Sequence, residues 1–163
     1  MSINIRKSTI DDLDEIQRIY AYARQFMKET GNPNQWKDTS PATELILGDF
    51  ENGTGYVIEQ NGKICGVFAF LLGEDPTYGY IENGKWLSNA PYGTIHRIAS
   101  DGTIKGVVKI ASDFAEKTIK NLRFDTHEDN KIMQHTLEKN GFIRCGTIYL
   151  LNGEPRIAYQ RIR

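Results

Sequence analysis

Hydrophobic and polar positions follow two different periods in the first third of the chain. Residues 2–7 alternate between apolar and polar, which predicts a half-buried strand. After Thr9, apolar residues return every three or four positions and predict an amphipathic helix that ends at the Gly-Asn-Pro-Asn run of 31–34. The buried stripe of this helix is predicted to contain Leu13, Ile16, Ile19, Tyr20, Ala23 and Phe26. A second helix is predicted over 41–51, with Pro41 near its first turn.

Asn-Gly pairs separate several strand-like runs. Asn61-Gly62 lies between YVIEQ and KICGVFAFLL, and Asn152-Gly153 lies between FIRCGTIYLL and EPRIAYQRI. Such a pair is the strongest short-range hairpin signal, because both residues accept the positive φ angles of a two-residue turn. The sequence therefore predicts two hairpins. A third pair, Asn83-Gly84, predicts a small hairpin or a loop excursion with Trp86 at its edge.

Strand and helix patterns alternate between these hairpins. Residues 92–100 and 122–126 have the pattern of strands, whereas 104–119 and 129–141 have that of helices, the last closed by a C-terminal glycine. The complete order is β-α-α-β-β-β-α-β-α-β-β. This order predicts one mixed α/β domain over residues 1–163, in which antiparallel hairpins surround a βαβ centre.

Composition and charge narrow the classes of function. The 163 residues carry a net charge of −1, with 39% hydrophobic and 25% charged side chains, and lack the basic balance that nucleic-acid binding requires. No apolar run approaches the roughly 18 residues of a membrane span, and the N-terminus lacks the pattern of a signal peptide. We therefore expect a cytoplasmic protein without nucleic-acid or membrane partners, in which Cys65 and Cys145 are buried, reduced thiols.

The run HRIASDGTIKGVV at 96–108 is the first candidate for chemistry. It has the outline of a strand, a tight turn and a helix N-terminus, an arrangement that commonly binds phosphates. Gly106 is a loop glycine, but Val108 stands where a second one is expected. By itself the run leaves two interpretations open, a degenerate phosphate site and an ordinary connection between a strand and a helix.

The run DNKIMQHTLEKNGF at 129–142 is more specific. Together with the order of elements, it resembles the GNAT superfamily of acyl-CoA-dependent N-acetyltransferases, whose fourth helix is led by Asn and ends in Glu-Lys-x-Gly-Phe. The matching positions are Asn130, Glu138, Lys139, Gly141 and Phe142. The resemblance covers essentially the whole chain. It implies a mostly antiparallel sheet with a βαβ centre, flanked by helices, with acyl-CoA bound where the central strands splay.

The resemblance also implies a pyrophosphate-binding turn of the form (Gln/Arg)-x-x-Gly-x-(Gly/Ala). With Gly106 as the aligned glycine, Thr103 stands at the Gln/Arg position and Val108 at the last small position, so the motif is incomplete. Backbone N–H groups at the start of a helix do most of the binding, and each residue of 103–109 is expected to keep its N–H exposed. The expected acyl-CoA contacts are Ile98, Ala99, Ser100, Thr103, Ile104, Lys105, Gly106, Val107, Val108, Lys109, Asn130 and Lys139.

For the general base, His96 is the leading candidate, because it lies on the strand that lines the acetyl group in the family and imidazole accepts protons near neutral pH. If Ile95 and Ile98 face opposite sides of the strand, alternation places His96 on the face of Ile98 and Ser100. Glu74 and Asp75 are rivals that act through a water, and a purely structural role for His96 is left open.

Other catalytic roles depend on the fourth helix. Asn130 is expected to cap the helix, and the resemblance implies that it also contacts the pantetheine arm or an ordered water. The family often protonates the departing thiolate with a tyrosine where this chain has Leu137, so Tyr149, His135 and water are left open as the acid. We expect no metal, because adjacent residues such as those of 127–129 point in divergent directions.

The resemblance places the acceptor pocket in the first helices and the loop after the third strand, a region rich in aromatic residues. Trp36 and Trp86 fall in loop-like segments and are favoured over aromatic residues at helical spacing, which more often pack in the core. The expected acceptor contacts are Arg24, Trp36, Glu74, Tyr78 and Trp86. The acceptor itself is left open between a small-molecule amine and a protein amine, and a homodimer is left open as well.

The resemblance implies an N-acetyltransferase that moves the acetyl group of acetyl-CoA directly to a primary amine in a ternary complex. The incomplete turn motif and Leu137 favour an alternative, a non-catalytic acyl-CoA-binding or regulatory module on the same fold. An interaction domain that binds no nucleotide is a third hypothesis.

Overall fold

The computed structural model describes residues 2–163, and it contains the predicted order of seven strands and four helices. Short 3-10 turns at Ile10–Asp12 and Pro76–Tyr78 complete it. The elements are β1 (Ile3–Lys7), α1 (Leu13–Glu29), α2 (Thr43–Asn52), β2 (Gly55–Gln60), β3 (Lys63–Leu72), β4 (Gly93–Ser100), α3 (Val107–Glu116), β5 (Asn121–Thr126), α4 (Lys131–Lys139), β6 (Ile143–Tyr149) and β7 (Pro155–Ile162).

The strands form one seven-stranded, mostly antiparallel sheet in the order β1-β2-β3-β4-β5-β7-β6. β4 and β5 run parallel, and their register pairs Gly93 with Leu122 and Thr94 with Arg123. Within the described residues, no later position of β4 belongs to this register, so most of the strand extends beyond its pairing with β5. The predicted mixed α/β fold class is confirmed.

Residues 2–70 together with Arg97–Val107 form one compact unit. Its core joins α1, α2 and the strands, and consists of Ile16, Ile19, Tyr20, Ile46, Val57, Val67 and Ala99. α1 begins where Asp12 accepts the N–H of Thr9 at 2.8 Å and pairs with Arg6 at 2.9 Å. Phe26 was expected in the buried stripe of α1, but it is largely exposed, because the buried residues of the helix lie in its first half.

The second compact unit contains Leu71–His96 and Val108–Arg163. One of its cores consists of Tyr78, Trp86, Tyr92, Cys145, Ile148 and Ala158. The guanidinium carbon of Arg123 lies 3.9 Å from the ring centroid of Trp86 and 3.8 Å from that of Tyr92. The cation is thus held between two aromatic faces, an arrangement that offsets part of the cost of burying it.

The Asn-Gly pairs form different connections. Asn61 and Gly62 adopt φ angles of +54° and +81° and alone separate β2 from β3, as predicted. At Asn152-Gly153 the predicted hairpin forms, but its turn is longer, because β6 ends at Tyr149 and β7 begins at Pro155. Asn83-Gly84 lies in a loop excursion that joins β6 through an isolated bridge from Glu82 to Thr147.

The helix boundaries deviate from the sequence pattern mainly at α3. This helix was predicted over 104–119 but covers Val107–Glu116, because the preceding residues form a turn described below. α4 is capped by Asn130, whose side chain accepts the N–H of Met133 at 3.0 Å. Gly141 follows the helix with a φ of +86°, as its predicted role as a helix stop requires.

None of the helices in residues 2–163 combines the length and apolarity needed to cross a membrane.

Candidate functional site

β4 contains an unusual backbone conformation at its centre. Arg97 has a φ of +51°, in the left-handed region that residues with a Cβ rarely adopt inside a strand. His96 and Arg97 are consecutive and both half-buried, between buried Ile95 and buried Ile98. The left-handed residue interrupts the two-residue period that placed His96 on the face of Ile98 and Ser100.

His96 lies in a cluster of polar side chains formed by the second compact unit. Its Nε2 is 2.9 Å from Oδ2 of Asp75, and its Nδ1 is 3.9 Å from Oδ2 of Asp125. The same Asp125 oxygen accepts the hydroxyl of Tyr78 at 2.6 Å. The imidazole ring is thus placed between two carboxylates, one on each nitrogen.

Asp75 is the best-connected member of this cluster. Its Oδ1 accepts both the N–H and the hydroxyl of Thr77, at 2.8 and 2.7 Å, while its own N–H donates to the hydroxyl of Tyr92. Burial alone raises the pKa of Asp75, but the hydrogen bonds from His96 and Thr77 outweigh it and lower the pKa to about 2. A carboxylate with so low a pKa is a weak proton acceptor near neutral pH, so Asp75 fits a partner of His96 better than a rival base.

The Asp75 carboxylate is expected to stabilise the fold by about 2 kcal/mol, since its folded-state pKa lies roughly two units below its ordinary value. A lowered carboxyl pKa contributes stability above about pH 4, and the contribution is lost as the pH falls towards 2. Urea unfolding of Asp75→Asn should therefore show a loss at pH 7 and a flatter pH dependence between pH 4 and 2. Parallel pH curves for the variant and the wild type would contradict this assignment.

Two predicted acceptor contacts, Tyr78 and Trp86, lie in the core of the second unit. The ring centroids of Tyr78 and Trp86 are 5.1 Å apart, and the indole N–H donates to the backbone oxygen of Tyr78 at 2.9 Å. Burial, reinforced by the charge of Asp125, raises the pKa of Tyr78 well above its ordinary value, so the hydroxyl remains a donor. Trp86 was favoured for the pocket because of its loop-like context, but it is 92% buried and its contacts are those of packing.

The other predicted acceptor contacts are more exposed. Arg24 on α1 donates to the backbone oxygen of Ser40 at 3.3 Å. Trp36 is half-buried and meets the ring of Tyr20 edge-on, with centroids 5.5 Å apart. Glu74 is exposed just after β3.

The turn after β4 is organised by Asp101. Its Oδ1 accepts the N–H of Thr103 at 3.0 Å and the hydroxyl of the same residue at 2.5 Å, while its Oδ2 pairs with Arg18 at 3.2 Å. The expectation that Thr103 offers a free N–H to a phosphate is therefore wrong, because both of its donors are directed at Asp101. The Asp-Gly-Thr run carries a local signal for this turn, since an Asp side chain commonly accepts the N–H two residues further on.

The later part of the turn fits a phosphate. Gly106 has a φ of +74°, and a Cβ built on it would meet no atom within 4 Å, so the backbone is open to a ligand at this point. α3 begins at the next residue, where the first N–H groups of a helix have no partner inside the helix. Lys105 is exposed, and Lys109 pairs with Asp113 at 2.6 Å. These features are compatible with pyrophosphate binding by residues 104–109.

On α4, the predicted residues are divided between capping and packing. Asn130 caps the helix, and Lys139 is exposed in its last turn. Leu137 is fully buried, so this position contributes packing and no proton donor. Of the alternative acids, His135 is exposed on the helix, and the Tyr149 hydroxyl donates to Glu82, which raises the pKa of the tyrosine.

The features that sequence reasoning missed are the left-handed residue in β4 and the pairing of His96 with Asp75.

Known proteins resemble this chain over most of its length. The model of the acetyltransferase (GNAT) domain family matches residues 2–143. None of the curated proteins matches the sequence.

Solved structures resemble the whole chain. A GNAT-family acetyltransferase from Streptococcus agalactiae 2603 is 33% identical and has a TM-score of 0.85, with 99% of this chain and 95% of that chain covered. One from Listeria monocytogenes 4b F2365 is 22% identical, with a TM-score of 0.72 and coverage of 99% and 95%. The protein yncA of Salmonella typhimurium, solved with its cofactor acetyl-CoA, is 15% identical, with a TM-score of 0.62 and coverage of 99% and 94%. The last two likenesses concern the fold alone.

Proposed function

The chain belongs to the GNAT acetyltransferase family, and on this premise we propose that it moves an acetyl group from acetyl-CoA directly to a primary amine in a ternary complex. The observation that carries the proposal is the position of His96 between two carboxylates, on the strand next to the phosphate-compatible turn. The yncA structure with acetyl-CoA supports the choice of cosubstrate.

The Asp75 carboxylate determines which imidazole nitrogen acts as the base. Because Asp75 is ionised near neutral pH, its oxygen only accepts, so Nε2 of His96 must carry the proton in their 2.9 Å hydrogen bond. In the neutral ring this leaves Nδ1 unprotonated and free to take a proton from the attacking amine. The imidazolium that results is flanked by Asp75 and by Asp125, whose charges stabilise it.

Acetyl-CoA supplies the thioester carbonyl that the amine attacks. We propose that the backbone N–H groups of Ile98 and Ser100 donate to its developing oxyanion, since most of β4 lies beyond the register with β5 and the alternate amides, such as that of Asp101, point to β3. Residues 104–109 bind the pyrophosphate through the open backbone at Gly106 and the start of α3. Asn130 and Lys139 contact the rest of the cosubstrate.

No dedicated acid is assigned to the departing thiolate. Leu137 has no proton to donate, but a thiol pKa of about 8.5 makes a thiolate a tolerable leaving group near neutral pH. Positioning of the two substrates then supplies most of the rate enhancement. We propose that Arg24, Trp36 and Glu74 contact the acceptor, whereas Tyr78 and Trp86 act from the core by holding the His96 cluster in place.

CoA binding at the turn is tested by a matched pair of glycine variants. Gly106 and Gly62 both have positive φ angles, and neither has an atom within 4 Å of a built Cβ, so alanine strains both backbones alike. Gly106→Ala is expected to weaken CoA binding about tenfold or more, because the new methyl group fills the phosphate position, whereas Gly62→Ala binds CoA as the wild type does. Calorimetric titration measures the CoA affinity of both variants. Equal affinities would contradict phosphate binding at this turn.

The alternative function, a non-catalytic acyl-CoA-binding module, is favoured by buried Leu137 and by the engaged donors of Thr103. Release of thiol from acetyl-CoA in the presence of a panel of primary amines separates it from the proposed transferase. We expect amine-dependent release with at least one acceptor. Tight binding of acetyl-CoA without release for any small amine, peptide N-terminus or lysine peptide would favour the binding module instead.

A further inference from the structure

The left-handed conformation of Arg97 is held by contacts from two helices of its own compact unit. Its guanidinium forms a bidentate pair with Asp49 of α2, with Nη2 at 2.7 Å from Oδ1 and Nε at 3.1 Å from Oδ2. Its backbone oxygen accepts the hydroxyl of Tyr20 from α1 at 2.7 Å. Both the side chain and the carbonyl of the strained residue are therefore fixed.

The groups that hold Arg97 are themselves well supported. Tyr20 is almost fully buried, and burial raises the pKa of its hydroxyl, which keeps it a donor. Asp49 also accepts the hydroxyl of Thr54 at 2.9 Å. Gly55 lies so close that a Cβ there would approach that of Asp49 to 3.0 Å. Neither contact to Arg97 can therefore shift without disturbing the packing around it.

Arg97 lies in the chain between the proposed base and the proposed oxyanion donors. The preceding residue is His96, the proposed base, and the following stretch contains Ile98 and Ser100, whose amides are the proposed oxyanion donors. A change of φ at Arg97 rotates the next peptide plane, and with it the direction of the Ile98 N–H. Backbone strain of this kind persists only where surrounding contacts over-determine it, and it concentrates at functional sites.

We propose that Asp49 and Tyr20 clamp Arg97 in the left-handed conformation, so that Arg97 is a positioning residue that aims the β4 amides at the acyl oxygen. This inference rests on the proposed function, which places acetyl-CoA along β4. It assigns Asp49 and Tyr20 an effect on catalysis although neither is proposed to touch a substrate.

The test compares Arg97→Ala with Arg97→Gly. Both variants lose the guanidinium, but glycine adopts a positive φ without steric cost, whereas alanine does not. Because the positive φ alone already makes glycine the more stable of the two variants, the positioning role is tested by kcat and by the preference for acetyl-CoA over CoA, which a merely structural role would not change. Tyr20→Phe is the milder third variant, because it removes one hydrogen bond and keeps the ring that packs on Trp36.

We expect Arg97→Ala to lower kcat roughly 100-fold and to raise the KM for acetyl-CoA only about threefold, since a misdirected donor acts mainly on the transition state. Arg97→Gly should recover about tenfold of that loss, and Tyr20→Phe should lose about tenfold. Thermal unfolding confirms that each variant is folded. A kcat of Arg97→Ala equal to or above that of Arg97→Gly would overturn the inference.

Binding alone gives a second readout that needs no acceptor. If the β4 amides donate to the acyl oxygen, the wild type binds acetyl-CoA more tightly than CoA, and Arg97→Ala loses this preference while its affinity for CoA is kept. An unchanged preference in Arg97→Ala overturns the clamp alone. A wild type that binds acetyl-CoA but acetylates no amine overturns the proposed function. The preference for acetyl-CoA over CoA then still tests whether Asp49 and Tyr20 position Arg97. A wild type that binds neither ligand overturns both.

Discussion

His96→Gln is expected to lower kcat/KM for the amine acceptor by about 10²- to 10⁴-fold while CoA affinity stays unchanged. Glutamine can keep a hydrogen bond to Asp75, and its amide has no site that accepts a proton from an ammonium or amine. The loss therefore reports on proton transfer rather than on the packing around Asp75 and Tyr78. Steady-state kinetics with saturating acetyl-CoA measure it.

The matched control is the same substitution at an exposed histidine. His135 lies on the surface of α4, and His135→Gln is expected to leave kcat/KM within about twofold of the wild type. If His96→Gln retains half or more of the activity, the base must be another group. Loss of activity in His135→Gln but not in His96→Gln would indicate that a residue of α4 transfers the proton.

Gly84→Ala is expected to cost about 3–5 kcal/mol of unfolding free energy, a large part of the stability of a typical domain. A Cβ built on Gly84 would lie 1.9 Å from the backbone oxygen of Cys145 and 2.9 Å from its carbonyl carbon. Neither backbone atom can move away without separating the loop from β6, which it joins at Glu82 and Thr147. Chemical denaturation measures the loss.

Gly48 provides the control for this prediction. It lies inside α2, a Cβ there would meet nothing within 4 Å, and Gly48→Ala is expected to stabilise the protein by up to about 1 kcal/mol. Because the loop that contains Gly84 also contains Tyr78 and Trp86, its separation from β6 should reduce activity as well. A loss below about 1 kcal/mol in Gly84→Ala would show that the loop accommodates the methyl group, contrary to its packing here.

The order of elements could be predicted because each rests on local chemistry. The turn at Asn61-Gly62 needs only two residues that accept positive φ, and α4 needs only its cap at Asn130 and its stop at Gly141. The alternation of strand and helix patterns around them then indicated the fold class. The resemblance of residues 129–142 to a family motif indicated the family, which the comparisons show.

The site was harder to predict because its geometry joins residues that are distant in sequence. Asp75 and His96 are separated by the loop over 76–92, and only the folded chain shows that they are partners rather than rivals. The left-handed Arg97 carries no local signal, since its conformation is imposed by Asp49 and Tyr20. The reason is local for Thr103, because both of its donors bond to Asp101 two residues earlier, in a turn that competes with phosphate binding.

Transfer of the acetyl group from acetyl-CoA to an amine is tested most directly by following the acetyl group itself. Wild-type protein is incubated with acetyl-CoA that carries an isotopic label in the acetyl group and with the panel of primary amines, and the products are analysed by mass spectrometry. We expect the label on the nitrogen of at least one amine, in an amount equal to the CoA released, and we expect His96→Gln to form this product far more slowly. Label that stays on CoA or leaves only as acetate, despite bound cosubstrate, would contradict this expectation.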